Sequence, residues 1–172
     1  MPALAAPVAS SPAPAIIEVG FSPEGSAQRI VLDTIASAQK TLLLAAYSFT
    51  DPDVVRDLVV AKRRGVDVYV LVDEKANVSR GVTPTKSMHA LNTLVSAGIA
   101  VRTIGAYPIH HDKYIVVDGK TVQTGSYNYS AAARNRNSEN VLLIRNSPEL
   151  ATRYYEHFLN RWERGDAYRP YY

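Results

Sequence analysis

From Ile16 onward, short apolar runs alternate with stretches in which apolar residues recur every three to four positions, and Gly, Pro and Asn punctuate the changes. Ile16–Val19 reads as a short strand. Ser22-Pro23-Glu24 has the form of a helix start, an N-cap followed by proline and an acid; Ile30, Val31 and Ile35 share one face of the helix it would open, running to about Gln39. Thr41–Tyr47 is almost wholly apolar, as a strand covered on both faces requires. Asp51-Pro52 opens a second helix, with Val54, Val55, Leu58 and Val59 inward and Lys62-Arg63-Arg64-Gly65 at its end, and Val66–Val72 is the next buried strand. Lys75–Thr85 has no period and reads as a long basic loop. Lys86–Ala97 is a helix ended by Gly98, and Ile99–Ile104 is a strand. Asp112–Val117 and Lys120–Thr124 form a hairpin about Asp118-Gly119. Asn140–Ile144 is a further strand; Ser147-Pro148-Glu149 opens a last helix through Trp162, and a tyrosine-rich tail follows.

Strands and helices interleaved in this way predict an α/β domain over residues 16–172: a mixed, partly parallel sheet with helices on both faces. The chain has 172 residues, 47% hydrophobic and 20% charged, which fits one folded domain and excludes a disordered chain. Residues 1–15, rich in Ala, Pro and Ser and without charge or period, read as a disordered leader. Ala3-Leu4-Ala5 within it resembles the small-residue end of a secretory signal peptide, so a periplasmic or secreted protein is expected. No run approaches the roughly 18 apolar residues of a membrane-spanning helix, which argues against integral membrane association. The absence of cysteine removes disulfides, zinc–thiolate sites and thiol nucleophiles.

The groups that chemistry needs concentrate between Ile109 and Ser130. Alternate residues of a strand share a face, so His111 and Lys113 point the same way and Asp112 the other. Adjacent His110 and His111 point apart, which disfavours a metal pair, and His110 reads as a bystander. Imidazole can serve as nucleophile, acid or base near neutral pH, and a neighbouring ammonium favours a bound anion and stabilises developing negative charge. That pairing suits phosphoryl transfer. The hairpin returns the chain to Gly125-Ser126-Tyr127-Asn128, where glycine permits close backbone approach and the hydroxyl and amide can donate to phosphate oxygens.

His111-x-Lys113, then Asp118, then Gly125-Ser126-x-Asn128 together resemble the HxKxxxxD and GSxN signature of the phospholipase D superfamily. VGFSPEGSA, AYSFT, RRGVDV, NSEN and the Trp-containing last helix further resemble its small bacterial endonucleases, over essentially Val19 to Tyr172. The resemblance implies a phospholipase D-like α/β sandwich and a metal-independent phosphodiesterase that needs no cofactor. It makes His111 the nucleophile that forms a phosphohistidine, Lys113 and Asn128 the grip on the nonbridging oxygens, with Ser126 on or behind the phosphate. Glu139 resembles the carboxylate that holds the histidine's other nitrogen. Asp118 completes the motif, but it ends a strand at a turn, where a structural or ion-pair role is expected. The family's chemistry uses a second histidine and this chain holds one motif, so a twofold homodimer is expected, with the active site at its interface.

Charge then bears on the substrate. From Lys75 to Val117 five basic residues (Lys75, Arg80, Lys86, Arg102, Lys113) face one acid, Asp112, a local net of +4 against +3 for the whole chain. A positive funnel for a phosphate backbone is expected there, extended by Arg134 and Arg136. Tyr107, Tyr127 and Tyr129 flank the motif as candidates for base stacking, while ordinary packing is the commoner role of such residues. His89 and His157 lie in helical stretches and read as packing or surface residues. The favoured function is a nuclease of low sequence specificity acting on DNA, or on RNA as well. A phospholipase D acting on phosphatidylcholine-type lipids is the first alternative, disfavoured because the long loop lacks Trp, Phe and Leu to enter a membrane. A nucleic-acid-binding module without catalysis is the second.

Overall fold

The apolar runs become strands of a single sheet. In the computed structural model, which describes residues 13–78 and 85–170, the elements follow in the order β1 (Ile16–Ser22), α1 (Ser26–Ala36), β2 (Thr41–Ala46), α2 (Pro52–Arg63), β3 (Asp67–Asp73), α3 (Glu74–Asn77), α4 (Lys86–Ser96), β4 (Ala100–Ile104), β5 (Tyr114–Val117), β6 (Thr121–Gly125), α5 (Ala131–Asn135), β7 (Glu139–Arg145), α6 (Pro148–Trp162) and β8 (Asp166–Ala167). The sheet runs β1-β7-β6-β5-β2-β3-β4-β8, parallel across β2, β3 and β4 and antiparallel at every other junction. It is the mixed sheet with helices on both faces that the alternation predicts.

The pleat divides the core in two. Along β2, Leu42, Leu44 and Ala46 pack with the buried sides of α1, α2 and α4, whereas Leu43 and Ala45 pack with Ala151 and Phe158 of α6. On β5, Ile115 and Val117 join the first layer and Tyr114 and Val116 the second.

The predicted elements stand, with corrections at their ends. Ser22 does not cap a helix: the ladder with β7 runs on to the pair Ser22–Glu139, and α1 starts later, after Gly25 in a left-handed conformation (φ 90°). Ser26 Oγ accepts from the Phe21 N–H at 2.8 Å. The Ser-Pro-Glu signature at 147–149 does open α6, with Pro148 in its first turn. The supposed loop from Lys75 begins inside a short helix, α3, capped by Asp73 Oδ1 accepting from the Ala76 N–H (2.8 Å). Residues 79–84 of that loop and 1–12 of the leader lie outside the described residues. Chain after Trp162 is partly structured: β8 pairs with β4, and the Tyr168 hydroxyl donates to Asn92 Oδ1 at 2.7 Å.

β1 forms one edge of the sheet and is covered on one side only. Gly20 lies against α1, where a Cβ would stand 2.8 Å from the Ser26 backbone, while Ile17, Val19 and Phe21 face the other way at 64%, 56% and 51% exposure beside Leu142 of β7.

Asp118 holds the far end of β5. Its carboxylate accepts from the N–H groups of Gln39 (3.0 Å), Lys40 (2.8 Å) and Thr41 (2.9 Å), tying the hairpin turn to the α1–β2 connection. Partial burial by itself would raise this carboxyl, but the three donors and the Lys120 ammonium outweigh it and hold it below its ordinary value. The motif aspartate is therefore a structural clamp at the opposite end of β5 from His111. Because its folded value is depressed, the stability it contributes is present at neutral pH and is lost as pH falls through the usual carboxylate range and below. Asp118→Ala is expected to lower stability at pH 7 by about 1.5–3 kcal/mol, with the gap to the parent protein closing in acid; thermal unfolding across pH checks it.

Candidate functional site

Four chain ends converge on one edge of the sheet: the C-terminal ends of β2 and β6 and the N-terminal ends of β5 and β7. This follows from the antiparallel order β7-β6-β5-β2 and brings together residues as far apart as Tyr47 and Glu139.

His111 and Lys113 lie in the extended segment just before β5, which begins at Tyr114 rather than Asp112. The alternation persists through that segment. His111 and Lys113 both flank Tyr47: the imidazole packs edge-on at 4.8 Å between centroids, and Lys113 Nζ sits 5.6 Å from the phenol ring centre. Asp112 points to the other face, where its Oδ2 lies 2.8 Å from His157 Nε2 on α6 and 3.6 Å from His110 Nδ1. His111 is exposed and Lys113 is buried, at 8% exposure. Lys113 Nζ donates to the His111 carbonyl at 2.8 Å. Burial holds the Lys113 ammonium below the usual lysine range, with Glu139 and Asp112 opposing that shift. A desolvated cation beside an exposed imidazole can attract an anion and present a nucleophile to it.

The second strand of the hairpin supplies the polar partners. Gly125 is required by close approach: a Cβ there would fall 2.2 Å from the Asn140 carbonyl oxygen. Ser126 follows, exposed, its N–H donating to the Asn140 carbonyl and its Oγ donating to Glu139 Oε2 at 2.5 Å. The other carboxylate oxygen of Glu139 accepts from Asn137 Nδ2 at 2.9 Å. Among the described residues Glu139 thus bonds Ser126 and Asn137 and makes no hydrogen bond to His111; its negative charge bears on Lys113 instead. Asn128 is half-buried, and its Oδ1 has no hydrogen-bond partner among the described residues. Its segment is fixed by the Tyr129 carbonyl, which accepts from the Thr50 and Asp51 N–H groups at 2.8 and 2.9 Å.

Three residues with a part in this edge are assigned no role by the sequence. Asn77, in the stretch read as loop, is buried; its Oδ1 accepts from the Phe49 N–H (2.9 Å) and its Nδ2 donates to the carbonyls of Tyr47 and Asp73, which fixes Tyr47 behind the imidazole. Tyr47 itself is the second. His157, the third, lies with Leu150 and Tyr154 on a stripe of α6 along a cleft of about 490 Å³; the helical period of that stripe was its available signal. His110 is buried, and desolvation keeps its imidazole below its ordinary value against the pull of Asp112 and Asp73. Tyr127 and Tyr129 are wholly buried and cannot stack on bases. Arg102 lies over the Trp162 ring at 4.8 Å and donates to the Trp162 carbonyl, away from this edge, and Arg134 is paired with Asp53 at 2.6 Å, so neither adds to a funnel as expected.

A mixed α/β sheet presenting imidazole, ammonium, hydroxyl and amide at one edge defines a phosphoryl-transfer domain. A family model described as "Cardiolipin synthase, PLD-like domain" matches residues 31–162. The structure is similar to Nuc, a phospholipase D family member from Salmonella typhimurium, with a TM-score of 0.86 and 46% identity, covering 91% of this chain and 99% of that one. NucT from Helicobacter pylori shares the fold at 21% identity and a TM-score of 0.75, covering 90% of this chain and 100% of its own. Among curated proteins, the chain is 34% identical to a phospholipase D of Rickettsia bellii over 141 residues, 82% of this chain and 66% of the relative's length. It is 33% identical to a mitochondrial cardiolipin hydrolase of Xenopus laevis over 79% of this chain and 61% of the relative. The chain therefore belongs to the phospholipase D superfamily, a family of phosphodiester hydrolases.

Lys113 makes a claim about stability as well. Its folded value lies below the ordinary one, so the charged form is disfavoured by folding at neutral pH, and that cost shrinks as pH rises above the lowered value and is gone above the ordinary lysine range. Lys113→Met is expected to melt no lower than the parent protein at pH 7, and the parent is expected to gain relative to it towards alkaline pH, as calorimetry at both pH values would show.

Proposed function

We propose that the protein is a metal-independent phosphodiesterase that cleaves nucleic acid, DNA foremost, through a phosphohistidine, and that it acts as a twofold homodimer. One observation carries the reading: the exposed His111 imidazole and the buried Lys113 ammonium share one side of a single segment, against Tyr47, and line one cleft with Gly125, the residue before Ser126. An imidazole nitrogen of His111 attacks phosphorus and the P–O ester bond breaks. The departing oxygen takes a proton from His111 of the partner subunit, which then accepts a proton from the water that hydrolyses the P–N bond. Lys113 neutralises the nonbridging oxygens while charge builds on them.

Two observations support the finer parts of the reading. The chain covers nearly all of Nuc but about two-thirds of the Rickettsia phospholipase D, so its likeness to Nuc is the more complete one. The exposed stripe of Ile17, Val19, Phe21 and Leu142 adjoins the site through the Ser22–Glu139 pair, and a second copy seated on it would bury apolar surface next to the catalytic edge. The names of the curated relatives favour a second reading, a phospholipid diester as substrate.

Plasmid DNA treated in excess EDTA, with a short-chain phosphatidylcholine assay in parallel, separates the two. Cleavage is expected to survive EDTA, to vanish in His111→Ala and to fall about 10²–10³-fold in Lys113→Met. Choline release without DNA cleavage would replace the nuclease reading with the phospholipase one. Sedimentation is expected to show a dimer that Val19→Asp weakens together with activity; a monomer of full activity would refute the shared site.

A further inference from the structure

A second groove, of about 1080 Å³, runs between α2 and α4 and under α5. It starts at the catalytic edge: Ser48, which lines it, follows Tyr47, and Ser130, which also lines it, stands two residues beyond Asn128. Among the described residues its lining carries five basic side chains, Arg56, Arg63, Lys86, Arg134 and Arg136, and no carboxylate. Two of the five are committed elsewhere, Arg134 to Asp53 and Arg56 to Asp53 (2.6 Å) and Asp57 (2.9 Å). Arg63, Lys86 and Arg136 are exposed and form no ion pair with a described residue. Because α2 and α4 each follow a strand of the parallel set, both begin at the catalytic edge, and their positive ends add to the potential there.

We propose that this groove is the track for the strand that flanks the scissile phosphate, its backbone phosphates riding on Arg136, Lys86 and Arg63 in turn. The inference rests on the nuclease reading and deepens it. The cations are spread from the first turn of α4 to the last turn of α2, a helix of 12 residues and so about 18 Å long. That matches a polymer with a charge at every 3.4 Å or so of strand. A lipid presents its charge at one end, and a single cationic cluster would suffice for it. Between the cations, Val59, Val60, Ala90 and Ala131 give apolar surface for sugar contacts, and among the described residues the lining holds no Phe, Tyr or Trp and a single imidazole, His89. Backbone contacts of this kind orient a strand without reading its sequence.

The test uses the full chain, single-stranded oligonucleotides from a dinucleotide to about twelve nucleotides, and the double variant Arg63→Glu/Lys86→Glu beside Arg63→Gln/Lys86→Gln. In the parent protein kcat/KM is expected to rise with length. The charge reversal is expected to cut that gain at least tenfold, the glutamine pair to cut it less, and the slope of log kcat/KM against log salt to flatten by about 1.4, at about 0.7 per lost phosphate contact. An unchanged length gain and salt slope in both variants, with the parent cutting oligonucleotides, would overturn the track and leave the nuclease reading standing. Failure of the parent to cut any oligonucleotide would overturn both. Loss of binding to phosphatidylglycerol-containing vesicles in the variants, with the length gain intact, would reassign the groove to lipid and overturn the track.

Discussion

The alternation of side chains along residues 110–117 is the constraint on which the rest depends. In that one extended segment Ile115 and Val117 face the layer of α1, α2 and α4 while Tyr114 and Val116 face α6; ahead of them His111 and Lys113 share the Tyr47 ring, and Asp112 reaches His157 of α6. Every second residue anchors the segment, and the intervening His111 and Lys113 are left to face Tyr47. Asp112 on His157 and the His110 N–H on Asp73 Oδ2 (2.7 Å) pin the segment from behind, so the imidazole and ammonium in front are held by bonds they do not themselves make. A shift of one residue in register would exchange the two sets and take the His111 imidazole away from Tyr47.

Placing a cation at the edge of the core makes the site demanding to build. Lys113 keeps its charge with the help of Glu139, the His111 carbonyl and the Tyr47 ring rather than of water, and Asn77 and Gly125 hold those groups close. Such fixed surroundings need little rearrangement when an anion arrives, which is how preorganised dipoles and charges lower a barrier. The same surroundings oppose folding slightly, so the local rules of stability and of chemistry diverge here.

What could be read beforehand was what depends on neighbours in sequence. The period-two and 3.6-residue runs give the sheet and its helices, and the spacing of His111, Lys113, Ser126 and Asn128 names the residues that the fold gathers. Features that depend on distant chain were not legible. Ser22-Pro23-Glu24 looks like a cap, and only the ladder with β7 reveals Ser22 as strand. Tyr127 and Tyr129 look available for stacking until the helices over them are known, and Arg102 looks like funnel until Trp162 occupies it. Asn77 sits in a stretch without period, and its three backbone partners lie on other segments or a turn away. The basic groove is drawn from α2, α4 and α5, which no local charge count could combine.

β2 and β5 are central neighbours in the sheet, yet Leu44 pairs with Ile115 across most of the middle of the chain, and Asp118 closes the same long excursion at residues 39–41. Closing so large a loop costs chain entropy before any contact repays it, so this pairing belongs to the slow part of folding. The parallel strands β2 and β3 with α2 can assemble from contiguous chain without it, but Tyr47 then has neither His111 nor Lys113 beside it. The edge that gathers Tyr47, His111 and Lys113 is thus a property of the completed sheet alone, and a chain emerging from synthesis does not possess it until β5 has docked.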